Sequence, residues 1–150
     1  MIIKKIFLFI LLFWLTNCGF EPIYSKKSDL NISISKIEMK GEKNINRKIT
    51  SILNLKEGGG KSPTSKLELE SNKKINVVSR DEKGNASVYR TTIKIKISLS
   101  EENETIKQKI FSSSFTYNTI NNKFDLSQYQ NNIELDLINK ITDQILIFLN

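Results

Sequence analysis

Apolar and polar residues alternate over three long stretches of the chain and recur at helical spacing in two others. Within residues 65–78, Leu67, Leu69, Ile75 and Val77 share one parity. Within residues 87–100, Tyr89, Ile93, Ile95, Ile97 and Leu99 share one parity, and Arg90, Lys94 and Lys96 share the other. Side chains two apart point to the same side of a strand, so each stretch reads as a strand with one apolar face. Residues 105–117 place Ile106 and Ile110 on one parity and Phe111, Phe115 and Tyr117 on the other. That change of phase predicts a bulge near Ile110. Residues 80–85, with Gly84 and Asn85, and the polar residues 101–104 supply the two turns between these strands. A shorter alternation runs through Leu30, Ile32 and Ile34 and slips phase near Ser35 and Lys36 before Ile37 and Met39, which predicts a first, bulged strand.

The period changes twice. Ile45, Ile49, Ile52 and Leu53 recur every three or four residues, with Asn44 as the expected N-cap and Gly58, Gly59 and Gly60 as the expected stop. Near the C-terminal end Tyr129, Ile133, Leu137, Ile141, Ile145 and Phe148 do the same. Ser127 is the expected cap there, and Gln130 three residues on completes a capping box. The polar face of this helix carries Glu134, Asp136 and Asp143 and is not notably basic, so its stripe suits the cover of a sheet better than a membrane surface. The expected fold is α+β, in the order βαβββα. It is a two-layer sandwich in which a four-stranded, mostly antiparallel sheet carries both helices on one face.

The N-terminal stretch obeys different rules. Lys4 and Lys5 precede an unbroken apolar run, residues 6–15, and then come Thr16, Asn17, Cys18 and Gly19. A run this short fits a secretory signal better than a bilayer span, which needs about 20 residues. Cys18 is the chain's single cysteine and stands where the signal is cut. The placement resembles the lipobox of bacterial lipoproteins, with Leu15 three residues before the cysteine and Asn17 where Gly, Ala or Ser is usual. A buried thiol after an uncleaved membrane anchor and a coincidental cysteine are the alternatives. The expected organisation is a signal peptide over residues 1–17 and a lipidated leash over residues 18–29. One domain follows over residues 30–150. Pro22 keeps Glu21 extended, and Phe20, Ile23 and Tyr24 make the leash apolar enough to dock.

Composition narrows the chemistry. The chain has no histidine, so the usual general base near neutral pH and the commonest metal ligand are both missing. A single cysteine permits no disulfide within the chain, so the fold rests on its core. Gly60, Lys61 and Ser62 echo the end of a phosphate-binding loop, but Leu55 stands where that motif needs glycine, and a helix precedes instead of a strand. A carboxylate-dependent hydrolase finds no concentrated acidic motif to support it. No enzyme, no metal and no cofactor are expected, beyond a covalent lipid on Cys18. The formal charge of +7 points to anionic partners. Export makes lipid headgroups or phosphorylated glycans the candidates and disfavours nucleic acid, so no nucleic-acid partner is expected. Yet the chain has one alanine, Ala86, and is crowded with Lys, Asn and Ile, so much of the lysine also reads as solvated surface.

Residues 18–24, Cys-Gly-Phe-Glu-Pro-Ile-Tyr, resemble the Cys-Gly-Phe-x-Pro-Leu-Tyr start of the lipopolysaccharide-assembly lipoprotein family (LptE), with Ile23 for the usual Leu. The end of the chain is similar too: Phe115, Thr116, Tyr117 and Asn118, then a polar stretch and a long apolar-striped helix. The resemblance implies a lipoprotein on the periplasmic side of the outer membrane, anchored through Cys18. It also implies that the lipoprotein plugs and assists a large β-barrel, the lipopolysaccharide-assembly protein LptD, and contacts lipopolysaccharide itself. If lipid A phosphates bind the domain, the basic row Arg90, Lys94 and Lys96 is the candidate site, against its plain reading as the wet face of a sheet. A generic periplasmic scaffold or pilotin-like lipoprotein without lipopolysaccharide contact is the alternative function.

Overall fold

The computed structural model describes residues 34–58, 65–102 and 104–149. The expected leader, Cys18, the expected leash and the start of the first expected strand lie outside them. Six elements follow in the expected order: β1 (Ile34–Gly41), α1 (Lys43–Ile52), β2 (Ser65–Arg80), β3 (Ala86–Glu101), β4 (Glu104–Asn118) and α2 (Lys123–Leu149). The strands form one sheet in the order β1-β2-β3-β4. β1 runs parallel to β2, joined through α1, and the other two pairs are antiparallel. This is the two-layer α+β arrangement that the periodicity predicts.

The apolar parities meet the helices. Leu67, Leu69, Ile93, Ile95 and Ile97 are fully buried, and α1 and α2 close over them with Ile45, Ile49, Ile138, Ile141 and Ile145. At the end of the sheet farthest from Ile34, Tyr117 stacks on Tyr89 and meets Tyr129 edge-on, each at 5.8 Å between ring centres. The Tyr117 hydroxyl lies 3.2 Å from the Thr91 hydroxyl and accepts from the Gln130 side-chain amide at 2.9 Å. Ile75, Val77 and Phe115 share the inward parity but stay partly exposed. The ten-residue α1 lies on β1, β2 and α2, whereas the distal half of β2 has no second helix of its own.

The ends of the elements differ from the sequence reading, in each case because a non-local partner decides. α1 starts at Lys43, not after Asn44, because the turn out of β1 is pinned across the sheet. The Glu42 N–H donates to the Ser71 carbonyl at 3.2 Å, and the Ser71 hydroxyl donates to the Glu42 carbonyl at 3.1 Å. Its end is set by Asn54 in the left-handed region (φ 51) rather than by the glycines. The Asn54 N–H donates to the Ser51 carbonyl and the Leu55 N–H to the Thr50 carbonyl, which is the Schellman pattern. α2 starts one turn before Ser127: the Asn122 carboxamide oxygen accepts the Phe124 N–H at 2.9 Å, and Gln130 spends its amide on Tyr117. The β1 bulge falls where expected, between Ile34 and Lys36. The β4 bulge lies at Ile106 instead of Ile110, since Leu99 pairs with Lys107 and Ser100 with Thr105.

One ionic tie joins three elements. Glu134 of α2 receives Lys48 of α1 at 2.8 Å and Lys73 of β2 at 2.6 Å, and its side chain is only 12% exposed. Burial pushes its carboxyl up, and the two ammonium groups outweigh that, so it sits below the ordinary glutamate value. A depressed carboxyl stabilises the fold fully above its unfolded value, and the contribution is lost as pH falls through the lower folded value. Glu134→Gln is therefore expected to lower stability at pH 7 by about 1 kcal/mol. The gap to wild type should close as denaturation midpoints are taken well below pH 4.5, the ordinary value. A gap unchanged in acid would remove the tie from the stability of the fold.

Candidate functional site

The face of the sheet away from the helices is where the candidate residues stand. Strand alternation brings Arg90, Lys94 and Lys96 to this open side of β3, while Thr91, Ile93, Ile95 and Ile97 turn to the core. The register then separates the three. Lys96 lies between Glu70 of β2 and Ile110 of β4, so a carboxylate stands directly across from it. Lys94 lies between Asn72 and Ser112, and Arg90 between Asn76 and Thr116, all uncharged. The Arg90 Nε donates to the Thr116 hydroxyl at 3.0 Å, which holds the guanidinium along the sheet.

A fourth cation belongs with them. Lys74 of β2 pairs with Thr92, whose other neighbour is Ser114, so its side chain emerges midway between Arg90 and Lys94. Strand steps of two residues are about 7 Å and neighbouring strands about 5 Å apart, so Lys74, Arg90 and Lys94 form a shallow triangle. Lys74 is visible in the sequence as a residue on the polar parity of its strand. Its place beside the row depends on the β2–β3 register, which the periodicity does not reveal.

Charge on this face is segregated. In the half near Ile34, cations and carboxylates alternate: Glu38 takes Lys36 and Lys66, each at 3.0 Å, and Lys40 meets Glu68 at 2.9 Å. The Lys66 and Lys36 ammonium groups hold the Glu38 carboxyl below its ordinary value, and Glu68 raises the Lys40 ammonium. In the far half, the open-side residues of β2, β3 and β4 include Asn72, Lys74, Asn76, Arg90, Thr92, Lys94, Ser112, Ser114 and Thr116, followed by Val88 and Asn118, with no carboxylate among them. Arg80 stands opposite Ala86 at the turn, where its guanidinium donates to the Gly84 carbonyl. The far half can therefore receive anions through three cations and a fringe of hydroxyl and amide donors. Among the described residues, no group of three or more His, Cys, Asp and Glu is arranged to hold a metal ion, and no helix is long and apolar enough to cross a membrane. Cys18, the expected lipidation site, lies outside the described residues.

No family model matches the chain, and no curated protein matches it. Solved structures do share its shape. Rare lipoprotein B from Shewanella oneidensis is 12% identical with a TM-score of 0.54, over 74% of this chain and 90% of that one. Uncharacterized lipoprotein B from Nitrosomonas europaea is 9% identical with a TM-score of 0.57, over 77% and 81%. A lipoprotein from Caulobacter crescentus is 15% identical with a TM-score of 0.52, over 82% and 91%. At these identities the likeness is one of fold. The chain has the α+β fold of these bacterial lipoproteins.

Proposed function

We propose that this chain is an outer-membrane lipoprotein, acylated on Cys18 and facing the periplasm, that assists a β-barrel lipopolysaccharide-assembly protein of the LptD kind. In this role it plugs the barrel and offers lipid A phosphates the cations of its open sheet face. It makes and breaks no bond and needs no cofactor. The observation that carries the ligand part of the reading is the charge segregation: Lys74, Arg90 and Lys94 share a half-face without a carboxylate. The heptapeptide of residues 18–24 and the fold shared with lipoproteins support the rest.

Charge reversal tests it. Lys74→Glu, Arg90→Glu and Lys94→Glu together are expected to weaken lipopolysaccharide binding at least tenfold at low salt, where such contacts are least screened. Recovery of the barrel with the triple variant should be unchanged, because a packed docking surface does not depend on these three side chains. Lys96→Glu alone is expected to do less, since Glu70 already faces Lys96. Each position is on the open face, so stability should move by no more than about 0.5 kcal/mol per substitution. Equal binding by the triple variant and wild type removes this face from the mechanism. No lipopolysaccharide binding by either favours the scaffold alternative.

A further inference from the structure

The two edges of the sheet are treated differently. At β1 the Glu57 carboxylate accepts the Ile37 N–H at 2.7 Å, and the Gly58 N–H donates to the Ile34 carbonyl at 2.8 Å, so that edge is partly closed. β4, the other edge, has no strand beyond it among the described residues. Proteins blunt free edges with charge, proline or bulges. Here the bulge and Lys107 and Lys109 confine those devices to the first half of β4. Residues 110–118, Ile-Phe-Ser-Ser-Ser-Phe-Thr-Tyr-Asn, contain neither charge nor proline nor glycine.

Beside that run, β4 and α2 enclose a mostly apolar groove of about 140 Å³, lined by Phe115, Tyr129, Asn132, Ile133, Asp136 and Leu137. Phe115 is 47% exposed and Tyr129 37%, although both stand on faces that the periodicity assigns to the core. A free strand edge with an apolar groove between it and a helix is the geometry that accepts an extended peptide as an added strand. Main-chain hydrogen bonds supply affinity there, and the groove selects a side chain.

We propose that β4 is a docking edge for an extended, acidic strand of a partner protein, which seats one apolar side chain beside Phe115. The acidity follows from the cations that flank the edge, which outnumber the one carboxylate lining the groove, Asp136. On the helix side Lys107 lies over Phe148 at 6.0 Å, and Lys109 lies over Phe111 at 5.3 Å. On the open side Lys96, Lys94 and Arg90 stand one strand in, across from Ile110, Ser112 and Thr116. An added strand would lie about 10 Å from that row, roughly one screening length at about 0.1 M salt, so the attraction strengthens as salt is lowered. A second copy of this chain would bring the same cations against one another, and its formal charge is already +7. The docking edge does not depend on lipopolysaccharide binding, and the two fail separately.

The test pans a random dodecapeptide library displayed on phage against the immobilised full chain, then maps selected synthetic peptides by amide chemical shifts. Expected are extended, β-branched or aromatic peptides with net negative charge that shift the amides of residues 110–118. Phe115→Glu, checked for native circular dichroism, should weaken them at least tenfold. Asn132→Glu, on the helix wall of the same groove, provides the second variant should the first fail to fold. Selected peptides without acidic bias, or binding unaffected by both variants, would overturn the proposal. So would a concentration-dependent dimer joined through β4, which would put a second copy in the partner's place.

Discussion

Gly41→Ala is expected to destabilise the domain by about 3 kcal/mol or more, and Gly84→Ala by only about 1 kcal/mol. Both glycines hold a positive φ, +80° and +83°, so a side chain is strained at either. They differ in the space around them. A Cβ at Gly41 would collide with the backbone carbonyl of Ser71, whereas nothing lies within 4 Å of one at Gly84. The Ser71 carbonyl cannot retreat without loss, because it accepts the Glu42 N–H that turns the chain from β1 into α1. Urea denaturation of the two variants side by side separates backbone strain from collision. Equal losses would mean that the junction of β1 and α1 relaxes freely.

Ile141→Ala is expected to cost about 2–5 kcal/mol, the range for removing a buried branched side chain whose cavity only partly collapses. Ile141 is fully buried on the sheet-facing side of α2, and Ile138 and Ile145 flank it at 0% exposure. Ile147 of the same helix is 78% exposed and serves as the control, with an expected change of no more than about 0.5 kcal/mol. The contrast matters because α2 supplies much of the helix layer over β3 and β4. If Ile141→Ala were as mild as Ile147→Ala, the apolar stripe of α2 would serve something other than the core.

Strand identity was legible because one wet face and one dry face impose a strict period of two. Ile93, Ile95 and Ile97 show it cleanly, and so does the basic parity of Arg90, Lys94 and Lys96. Element ends were not legible, for Asn44, Ser127 and the glycines after Leu55 are all good local signals that lost to partners distant in sequence. Ser71 fixes the start of α1, and Tyr117 draws Gln130 away from a cap. At the candidate site the periodicity could group residues within a strand but not across strands. The β2–β3 register shifts between Val77 and Ser79 and back again before Arg80, so the two shifts cancel and Lys74 meets Thr92 in line with the Arg80–Ala86 pair at the turn. The polar residues 80–85 mark a turn but do not say which pair closes it, and a change of one residue there would put Lys74 beside Thr91 instead. The exposure of Phe115 and Ile75 was hidden for a related reason: the extent of a helix layer is not written in the strands it covers.

The most direct measurement is the identity of the protein recovered with the full-length chain from detergent-solubilised membranes. An assembly role at the outer membrane predicts one large, heat-modifiable β-barrel that stays with it through purification, with lipopolysaccharide in the preparation. Recovery of a secretin or an inner-membrane transporter instead, free of lipopolysaccharide, would contradict that role.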